Sequence, residues 1–381
     1  MNIANNTLVV RDGIALLVAI GKRTQPWHNS CVKVRLPKKM RKLRVLVMMD
    51  ELLVPPDNAS ALSEEARVRY RTEHDVLAAL RGMGHDAKPC GVKTDLGVIV
   101  PAIEEFQPHV CFNLIEDFDG VATHDQHVVS YLELLKQPYT GCNPRGLTIA
   151  RDKAVAKKIL AYSGINVPQF QVFAKDRTVK PGDDLPYPAI VKSLTEEGST
   201  GISQASIVNS HDELAERVAF IHEKLNTPAI AEQYIDGREL YVGIIGNAKL
   251  SALPVWELNL ASMPSDSAKI ATSKVKWDAA YQEKYAITSG AAVDLPPALE
   301  DHILETCKTI YRLLNLSGYA RIDLRLTPSG EIYFLEANPN PQIARGEDFA
   351  ESAAHVGLSY EALLHKILTL GLSYHPLRLA A

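Results

Sequence analysis

Two carboxylates and a carboxamide occur in two neighbouring apolar segments near the carboxyl end of the chain. The segments are YARIDLRL (319–326) and EIYFLEAN (331–338), joined by Thr-Pro-Ser-Gly, which is typical of a β-hairpin. Because side chains alternate between the faces of a strand, we expect Asp323, Glu336 and Asn338 on one face. Such oxygen ligands, with coordination positions left open, suit Mg²⁺ completed by phosphate oxygens and water. The hairpin therefore predicts a metal site at a strand end.

The pairing of the two strands decides which side chains meet. A loop of even length pairs Asp323 with Phe334 and Arg321 with Glu336. In this register the apolar face is formed by Ile322, Leu324, Leu326, Tyr333 and Leu335. The opposite face carries Arg321, Asp323, Arg325, Phe334, Glu336 and Asn338. A surface hairpin in which the two arginines simply pair with the two carboxylates explains these residues equally well.

A lysine and a glycine-rich loop follow another apolar segment, PAIVKSLTEEGSTGIS (188–203). Small residues let backbone N–H groups approach phosphate oxygens, and Lys192 supplies a positive charge at the strand end. The segment is not a Walker A loop, because no Gly-Lys-Ser/Thr follows. Glycine and serine are also ordinary turn formers, so this loop alone leaves both interpretations open.

Composition restricts the class of protein. The 381 residues are 46% hydrophobic and 23% charged with a net charge of −4, which is typical of a globular protein of roughly two or three domains. No apolar run approaches the ~20 residues that span a bilayer. The five cysteines are far apart and form no CxxC pair, which favours neither disulfides nor a zinc site. We expect a cytoplasmic protein with no membrane or nucleic-acid partner.

The amino-terminal region departs from this balance. Residues 1–44 contain ten Lys or Arg and one acid, Asp12. TLVVRDGIALLVAIG indicates two short strands around Asp12-Gly13, a hairpin signal. A hairpin with a solvated linker explains the region, and a patch for an anionic partner or a targeting segment are the alternatives.

Alternating strand and helix patterns predict the domains. LRVLVMMD, SEEARVRYRTEHDVLAALRGMG and HVCFNLIE indicate a β-α-β unit, and TIARDKAVAKKILAYSG indicates one helix ending at Gly164. We predict α/β and α+β architecture with an open parallel-sheet domain, a small central lid domain and a larger carboxyl-terminal sheet domain. The predicted bounds are 1–42 for a basic extension, then 43–148, 149–235 and 236–375.

Six segments occur in an order that resembles one superfamily. They are RDKAVAKKILAYSGINVP, PAIVKSLTEEGSTGIS, AIAEQYIDGRELYVGII, WDAAYQEKYAI, GYARIDLRL and IYFLEANPNP. The chain resembles the ATP-grasp superfamily, and within it the D-alanine–D-alanine ligase family, over roughly residues 43 to 370. The resemblance implies ATP held between the antiparallel sheets of the central and carboxyl-terminal domains, Mg²⁺ or alternatively Mn²⁺ as the metal, and a homodimer.

The resemblance also implies roles for particular residues. ATP phosphates would contact Lys153, Lys192 and the loop residues Gly198, Ser199, Thr200, Gly201 and Ile202. The adenine edge would be read by the backbone of Glu232, Gln233, Tyr234 and Ile235, and the ribose by Glu239. The metal ligands would be Asp323, Glu336 and Asn338. The residues that act on the reacting groups would be Arg321, Lys284, Tyr285 and Ser199.

The segments that meet the amino-acid substrates in the family are different here. The first strand continues as VMMDELLVPPDNAS, without the family's glycine-rich loop. NPNPQIARGEDFAES replaces the family's glycine and Ser-Leu pair, and there Arg345 is a candidate for binding an anionic group of the second substrate. Glu347 and Asp348 could instead neutralise Arg345. Glu116 and Asp119 are candidates for an ammonium group, although acidic residues also favour the start of a helix.

The leading hypothesis is an ATP- and Mg²⁺-dependent carboxylate–amine ligase. A carboxylate would form an acyl phosphate, and an amine would displace phosphate to give an amide or peptide bond. The substrates would be small amino acids or peptides, different from the family's usual pair. The alternative is a nucleotide-binding module without ligase activity that docks on an anionic partner through its basic amino-terminal segment.

Overall fold

The computed structural model describes residues 10–11, 14–15, 41–56, 63, 68–175, 177, 185–264 and 267–376. The chain divides into two compact units, residues 1–37 and 38–381. In the first unit, β1 (Val10–Arg11) pairs antiparallel with β2 (Ile14–Ala15). This pairing confirms the predicted short strands on either side of Asp12 and Gly13. Most of the predicted basic linker lies outside the described residues.

The second unit begins with a three-stranded parallel sheet in which β3 (Arg44–Asp50) lies between β4 (Asp86–Val92) and β5 (Val110–Asn113). The central strand is apolar on both faces because helices cover both: Val47 packs with Leu80, whereas Met48 packs with Ile99. Such a continuous apolar run is typical of a buried parallel strand. The elements are β3 (Arg44–Asp50), α1 (Arg71–Gly82), β4 (Asp86–Val92), α2 (Ile99–Phe106), β5 (Val110–Asn113) and α3 (Asp125–Leu134).

Two helices follow where the sequence predicted one. They are α4 (Pro144–Arg151) and α5 (Lys153–Tyr162). Asp152 separates them, because its backbone is extended and its carboxylate accepts hydrogen bonds from the N–H groups of Ala154 (3.0 Å) and Val155 (2.9 Å). A helix start of this kind is a typical aspartate cap. The break places Arg151 and Lys153 on either side of one junction.

The central sheet is antiparallel, in the order β6-β9-β7-β8. A helix, α6, covers one of its faces, with Leu214, Val218 and Ile221 packed against Val191 and Ala231. The elements are β6 (Phe170–Phe173), β7 (Ala189–Ser193), β8 (Ile207–Val208), α6 (His211–Lys224) and β9 (Ala229–Gln233).

The carboxyl-terminal sheet has five antiparallel strands in the order β12-β11-β10-β13-β14. Ile303 and Ile310 of α9 pack against Val242 and Ile322 on one face of it. The elements are β10 (Arg238–Ile245), β11 (Ser251–Asn259), α7 (Ser273–Trp277), α8 (Ala279–Lys284), β12 (Thr288–Ala291), α9 (Pro297–Leu313), β13 (Tyr319–Leu326), β14 (Ile332–Pro339), α10 (Asp348–His355) and α11 (Tyr360–Ser373).

In the second unit, one parallel and two antiparallel sheets with packed helices confirm the predicted α/β and α+β class. The sheets come from residues 44–113, 170–233 and 238–339, while the exact domain bounds stay a prediction. In the described part of the chain, no helix combines the length and apolar character needed to cross a membrane.

Candidate nucleotide and metal site

The hairpin of β13 and β14 has a register different from the predicted one. Asp323 lies opposite Glu336 and Arg321 opposite Asn338, but Leu324 lies opposite Phe334. Leu335 is therefore an extra residue, which forms a β-bulge. The predicted pairing of Asp323 with Phe334 is wrong for this reason. The bulge turns Phe334 into the core and brings the two carboxylates directly opposite each other.

The bulge also exposes backbone groups to partners outside the sheet. The carbonyl of Leu335 accepts a hydrogen bond from the ammonium group of Lys157, and the N–H of Phe334 donates to the carbonyl of Asn166 (2.9 Å). Lys157 is fully buried and also pairs with Glu232 at 3.0 Å. The lysine thus joins α5, the central sheet and the bulge.

The predicted metal ligands lie together. Arg321 donates two hydrogen bonds to Asp323 (2.7 and 2.8 Å), and the amide nitrogen of Asn338 donates to the same carboxylate (3.0 Å). Burial and the facing Glu336 raise the pKa of Asp323 to about 6, although the positive charge of Arg321 acts to lower it. Lys153 and then Lys192 outweigh burial and lower the pKa of Glu336 to about 2.

This donor set fits a divalent cation. Two facing carboxylates repel each other, and a cation between their oxygens relieves that repulsion. Among the described residues, no group of three or more His, Cys, Asp or Glu side chains forms a metal site. A cation held by the two carboxylates and the amide oxygen of Asn338 would have further coordination positions for phosphate oxygens and water.

Buried lysines form the adjacent wall. The carboxylate of Glu232 lies 3.0 Å from Lys157 and 3.1 Å from Lys192, while Lys153 lies 3.7 Å from Glu336 and donates to the carbonyl of Glu196 (2.5 Å). Burial lowers the pKa of Lys153. The pKa of Lys192 is raised because Glu232, followed by Glu336, outweighs its burial. An anionic ligand here would meet preorganised positive charge.

These groups line one cleft between the two antiparallel sheets. Its empty volume is about 780 Å³ including its mouth, within the usual range for a small-molecule site. The predicted site residues that line it are Lys153, Lys192, Ser199, Thr200, Ile202, Glu232, Gln233, Tyr234, Ile235, Glu239, Asp323 and Glu336. The structure therefore brings together most of the side chains that the sequence assigned to a nucleotide.

Glu239, the predicted ribose ligand, has protein partners at both oxygens. One accepts from Arg325 (2.9 Å) and the other from the hydroxyl of Tyr241 (2.9 Å). Arg325 also donates to the carbonyls of Gly237 and Lys269. The sequence analysis placed Arg325 only on the polar face of the hairpin, whereas in the structure Arg325 and Tyr241 together orient Glu239.

A short helix covers the glycine-rich loop. The hydroxyl of Ser273 on α7 donates to the carbonyl of Ser199 (2.8 Å), its N–H donates to Ile202 (3.2 Å), and the indole of Trp277 donates to Gly198 (3.4 Å). This arrangement places Lys276 of α7 in the cleft, and its charge acts on both Asp323 and Glu336.

Lys284 and Tyr285 lie at the end of the next helix, α8. The ammonium group of Lys284 is exposed and lies 4.9 Å from the ring centroid of Tyr285. Lys276 of α7 lines the cleft, whereas Lys284 of α8 is not among the described residues that line it. The assignment of Lys284 and Tyr285 to the reacting groups stays a prediction.

Arg345 is bound within the protein. Its guanidinium contacts Glu361 at 2.5 Å and lies 4.2 Å from the ring centroid of Tyr360. The expected alternative partners were Glu347 and Asp348, but the carboxylate of Glu347 lies 3.5 Å from Arg71 instead. The side chain of Arg345 is half exposed, and its role with a substrate stays a prediction.

The two acidic candidates occupy different positions. Glu116 lines a small recess together with Thr72, Asn340 and Gln342. Asp119 is exposed, and its N–H donates to the carbonyl of Lys93 (2.9 Å). The recess therefore includes Glu116 and leaves out Asp119.

The sequence analysis missed several buried charged residues, among them Glu73 and Arg151. Glu73 on α1 is 5% exposed, and burial raises its pKa to about 7. Arg151, also 5% exposed, pairs with Asp125 and Glu197 at 2.7 Å each. An acidic residue in the first turn of a helix predicts only a favourable helix dipole, and a single arginine in a helix predicts nothing. The burial of Glu73 and the distant partners of Arg151 become visible only in the folded chain.

The chain is similar to known proteins in sequence and in fold. A family model described as D-ala D-ala ligase C-terminus matches residues 159–369. The chain is 31% identical over 306 residues to an uncharacterized protein of Sinorhizobium fredii, covering 78% of this chain and 86% of that protein. It is 30% identical over 316 residues to the D-alanine–D-alanine ligase of Geobacter sulfurreducens, covering 81% and 90%.

Its fold resembles the D-alanine–D-alanine ligase from Bacillus anthracis complexed with ATP, with a TM-score of 0.67, 23% identity, and coverage of 87% of this chain and 97% of that one. The likeness confirms the predicted ATP-grasp fold. The family match and the relatives confirm the resemblance found in the sequence. The chain therefore belongs to the D-alanine–D-alanine ligase family, whose members are ATP-dependent ligases that form carbon–nitrogen bonds.

Proposed function

We propose that this ligase activates a carboxylate of an amino acid or peptide as an acyl phosphate and joins it to an amine, with at least one substrate other than D-alanine. One observation carries the proposal. Asp323 and Glu336 face each other at the bulged hairpin, in the same cleft as Lys153 and Lys192. Binding a nucleotide alone does not require two facing carboxylates beside an arginine. Phosphoryl transfer does require a charge cluster of this kind.

The described residues have distinct proposed roles. Lys153, Lys192 and the loop of Ser199 and Thr200 bind the phosphates, and Lys276 takes the position proposed from sequence for Lys284. Asp323, Glu336 and Asn338 hold Mg²⁺ or Mn²⁺, which when bound withdraws charge from the phosphate being transferred. Arg321 offers a cation to the developing oxyanion. The residues of β9 and Glu239 orient the adenosine.

Differences from the family support a change of substrate. The strand β3 is followed by ELLVPP instead of a glycine-rich loop, and Glu347 and Asp348 occur where the family has a neutral Ser-Leu pair. Glu347 adds negative charge near Arg321: burial raises the pKa of Glu347, and the charges of Arg71 and Arg321 oppose that rise. A second substrate with a free carboxylate next to this loop meets repulsion that neutral donors do not exert. A homodimer remains an inference from the resemblance.

The alternative, a nucleotide-binding module docked through its basic amino-terminal segment, receives less support. The buried carboxylate of Asp323 is hydrogen-bonded by the partly buried Arg321 and by the buried Asn338, a group that a binding module would not need. The amino-terminal segment itself lies mostly outside the described residues.

ADP release tests the proposal. The full chain is incubated with ATP, Mg²⁺ and pools of amino acids and dipeptides, and the products are identified by mass spectrometry. We expect ADP and an amide product with some pools, and little turnover with D-alanine alone. Asp323→Asn and Glu336→Gln should each reduce turnover at least 100-fold, a loss of about 3 kcal/mol of transition-state stabilisation. Unchanged turnover in both variants would remove the proposed metal site.

A further inference from the structure

The guanidinium of Arg151 joins three elements that are far apart in the sequence. Its Nη1 lies 2.7 Å from the carboxylate of Glu197, just before the glycine-rich loop. Its Nε and Nη2 donate to the carboxylate of Asp125 at the start of α3 (3.0 and 2.7 Å), and Nη2 also donates to the backbone carbonyl of Glu116 (2.9 Å). The planar fork of arginine suits such a multiple contact, which a lysine cannot reproduce.

The ion pair between Arg151 and Asp125 is shielded from water, so water cannot take the place of either partner. Arg151 and Asp125 are buried, and the second oxygen of Asp125 has no hydrogen-bond partner among the described residues. A buried carboxylate without a cation is costly. Arg151 therefore holds α3 and the residue-116 carbonyl in fixed positions relative to Glu197.

Each end of this contact leads to a different part of the molecule. On one side, the carbonyl of Glu197 accepts hydrogen bonds from the N–H and hydroxyl of Thr200 (3.2 and 2.8 Å), and Thr200 lines the nucleotide cleft. On the other side, Glu116 lines the small recess beside Thr72. Residues 116–125 contribute nothing to the lining of the nucleotide cleft within the described chain.

We propose that Arg151 is a positioning residue that couples nucleotide binding at the glycine-rich loop to the order of the loop formed by residues 116–125. Nucleotide phosphates fix Thr200 and Glu197, Glu197 fixes Arg151, and Arg151 fixes Glu116 and Asp125. Because coupling between two sites is reciprocal, a ligand of the recess would tighten nucleotide binding by the same factor. The inference rests on the proposed function only in requiring that nucleotide binds in this cleft.

Hydrogen–deuterium exchange tests the coupling without knowledge of the substrates. The full chain is compared with and without saturating Mg²⁺ and the non-hydrolysable ATP analogue AMPPNP. In the wild type, amides of residues 116–125 should exchange at least about fivefold more slowly with the analogue, the lower limit of typical coupling. Glycine-rich loop amides should be protected as well.

Three variants separate positioning from folding. Arg151→Met should retain protection at the glycine-rich loop under saturating analogue but lose it at residues 116–125. Glu197→Ala, which leaves the buried contact of Arg151 with Asp125 in place, should give the same loss and serves if Arg151→Met fails to fold. Arg145→Met is the matched control, since Arg145 is exposed on the same helix, and should behave like the wild type.

The possible failures are distinguishable. Protection of residues 116–125 that persists in Glu197→Ala would overturn the coupling, as would analogue binding to the wild type without such protection. A wild type that does not bind AMPPNP at all would contradict both this inference and the nucleotide site. Loss of ADP formation with coupling intact would contradict the proposed ligase activity alone.

Discussion

At the scale of single residues, three lysines of the neighbouring helices α7 and α8 can be compared as candidates for binding the γ-phosphate. Lys276 lies in the cleft beside Asp323 and Glu336, and no ion pair involves it within the described chain. Lys274 lies on the same helix and is exposed, as is Lys284 on the next helix. The three positions thus carry the same side chain in different surroundings.

We predict that Lys276→Ala weakens binding of AMPPNP with Mg²⁺ at least tenfold and binding of ADP less than about threefold. The reason is that a hydrogen bond from an ammonium group to a γ-phosphate, worth about 1.5–3 kcal/mol, is made only with the triphosphate. Isothermal titration calorimetry measures both affinities. Lys274→Ala should change neither. A tenfold effect of Lys284→Ala with none for Lys276→Ala would restore the assignment made from sequence.

Glu73 gives a second prediction at this scale, on pH. Burial raises its pKa from 4.5 to about 7, so the folded state binds the proton more tightly than the unfolded state. The protonated form favours folding below pH 4.5, and this contribution is lost as the pH rises to 7. At 1.36 kcal/mol per pKa unit the loss is about 3 kcal/mol.

Glu73→Gln, which has no charge to bury, should therefore be more stable than the wild type at pH 8 by up to about 3 kcal/mol, and by less than about 1 kcal/mol at pH 5. Urea unfolding at the two pH values measures the difference. Glu104→Gln, an exposed change on α2, is the control. A gain that is the same at both pH values would show that ionisation of Glu73 is not its cause.

At the scale of elements, the sequence predicted strands and helices better than their registers. In EIYFLEAN, Ile332 and Phe334 alternate with Tyr333 and Leu335, so both faces of the strand are apolar and alternation cannot choose between them. The choice is made by distant groups, the ammonium of Lys157 and the carbonyl of Asn166, which bind the backbone at the bulge. Local patterns contain no information about these partners.

The covering helix α7 shows the same limit. KVKW and YQEK both place a lysine near a helix end, and the resemblance selected Lys284 by its neighbour Tyr285. The hydrogen bonds of Ser273 and Trp277 to the glycine-rich loop bring Lys276 to the cleft, a placement that the motif did not indicate. The role assigned to Lys284 stays a prediction. In contrast, the shared face of the three proposed metal ligands was predictable, because Asp323, Glu336 and Asn338 lie on one face in the observed and in the predicted register.

At the scale of the whole molecule, the cleft is lined by two sheets that are formed by separate segments of the sequence. Lys192 and Glu232 belong to the central sheet, whereas Glu239, Asp323 and Glu336 belong to the carboxyl-terminal one. Their order along the chain was evident from the motifs. Buried contacts such as Arg151 with Glu197 were not, because 46 residues separate the partners.

A ligand that contacts both sheets should stabilise the whole second unit. We predict that AMPPNP with Mg²⁺ at about 100 times its Kd raises the free energy of unfolding by about 2.7 kcal/mol, seen as a higher Tm. Lys192→Ala should remain folded, because Lys157 still pairs with Glu232. It should lose at least about 1.4 kcal/mol of the ligand-induced gain at the same analogue concentration, which corresponds to a tenfold weaker affinity.

Differential scanning calorimetry with and without the analogue distinguishes this loss from simple destabilisation, because only the difference between the two scans reports binding. Lys224→Ala, an exposed change at the end of α6, should keep the full gain. If Lys192→Ala instead gains as much from the analogue as the wild type, then the phosphates do not lie at Lys192. The positive charge between the two sheets would then serve only to neutralise Glu232 and Glu336.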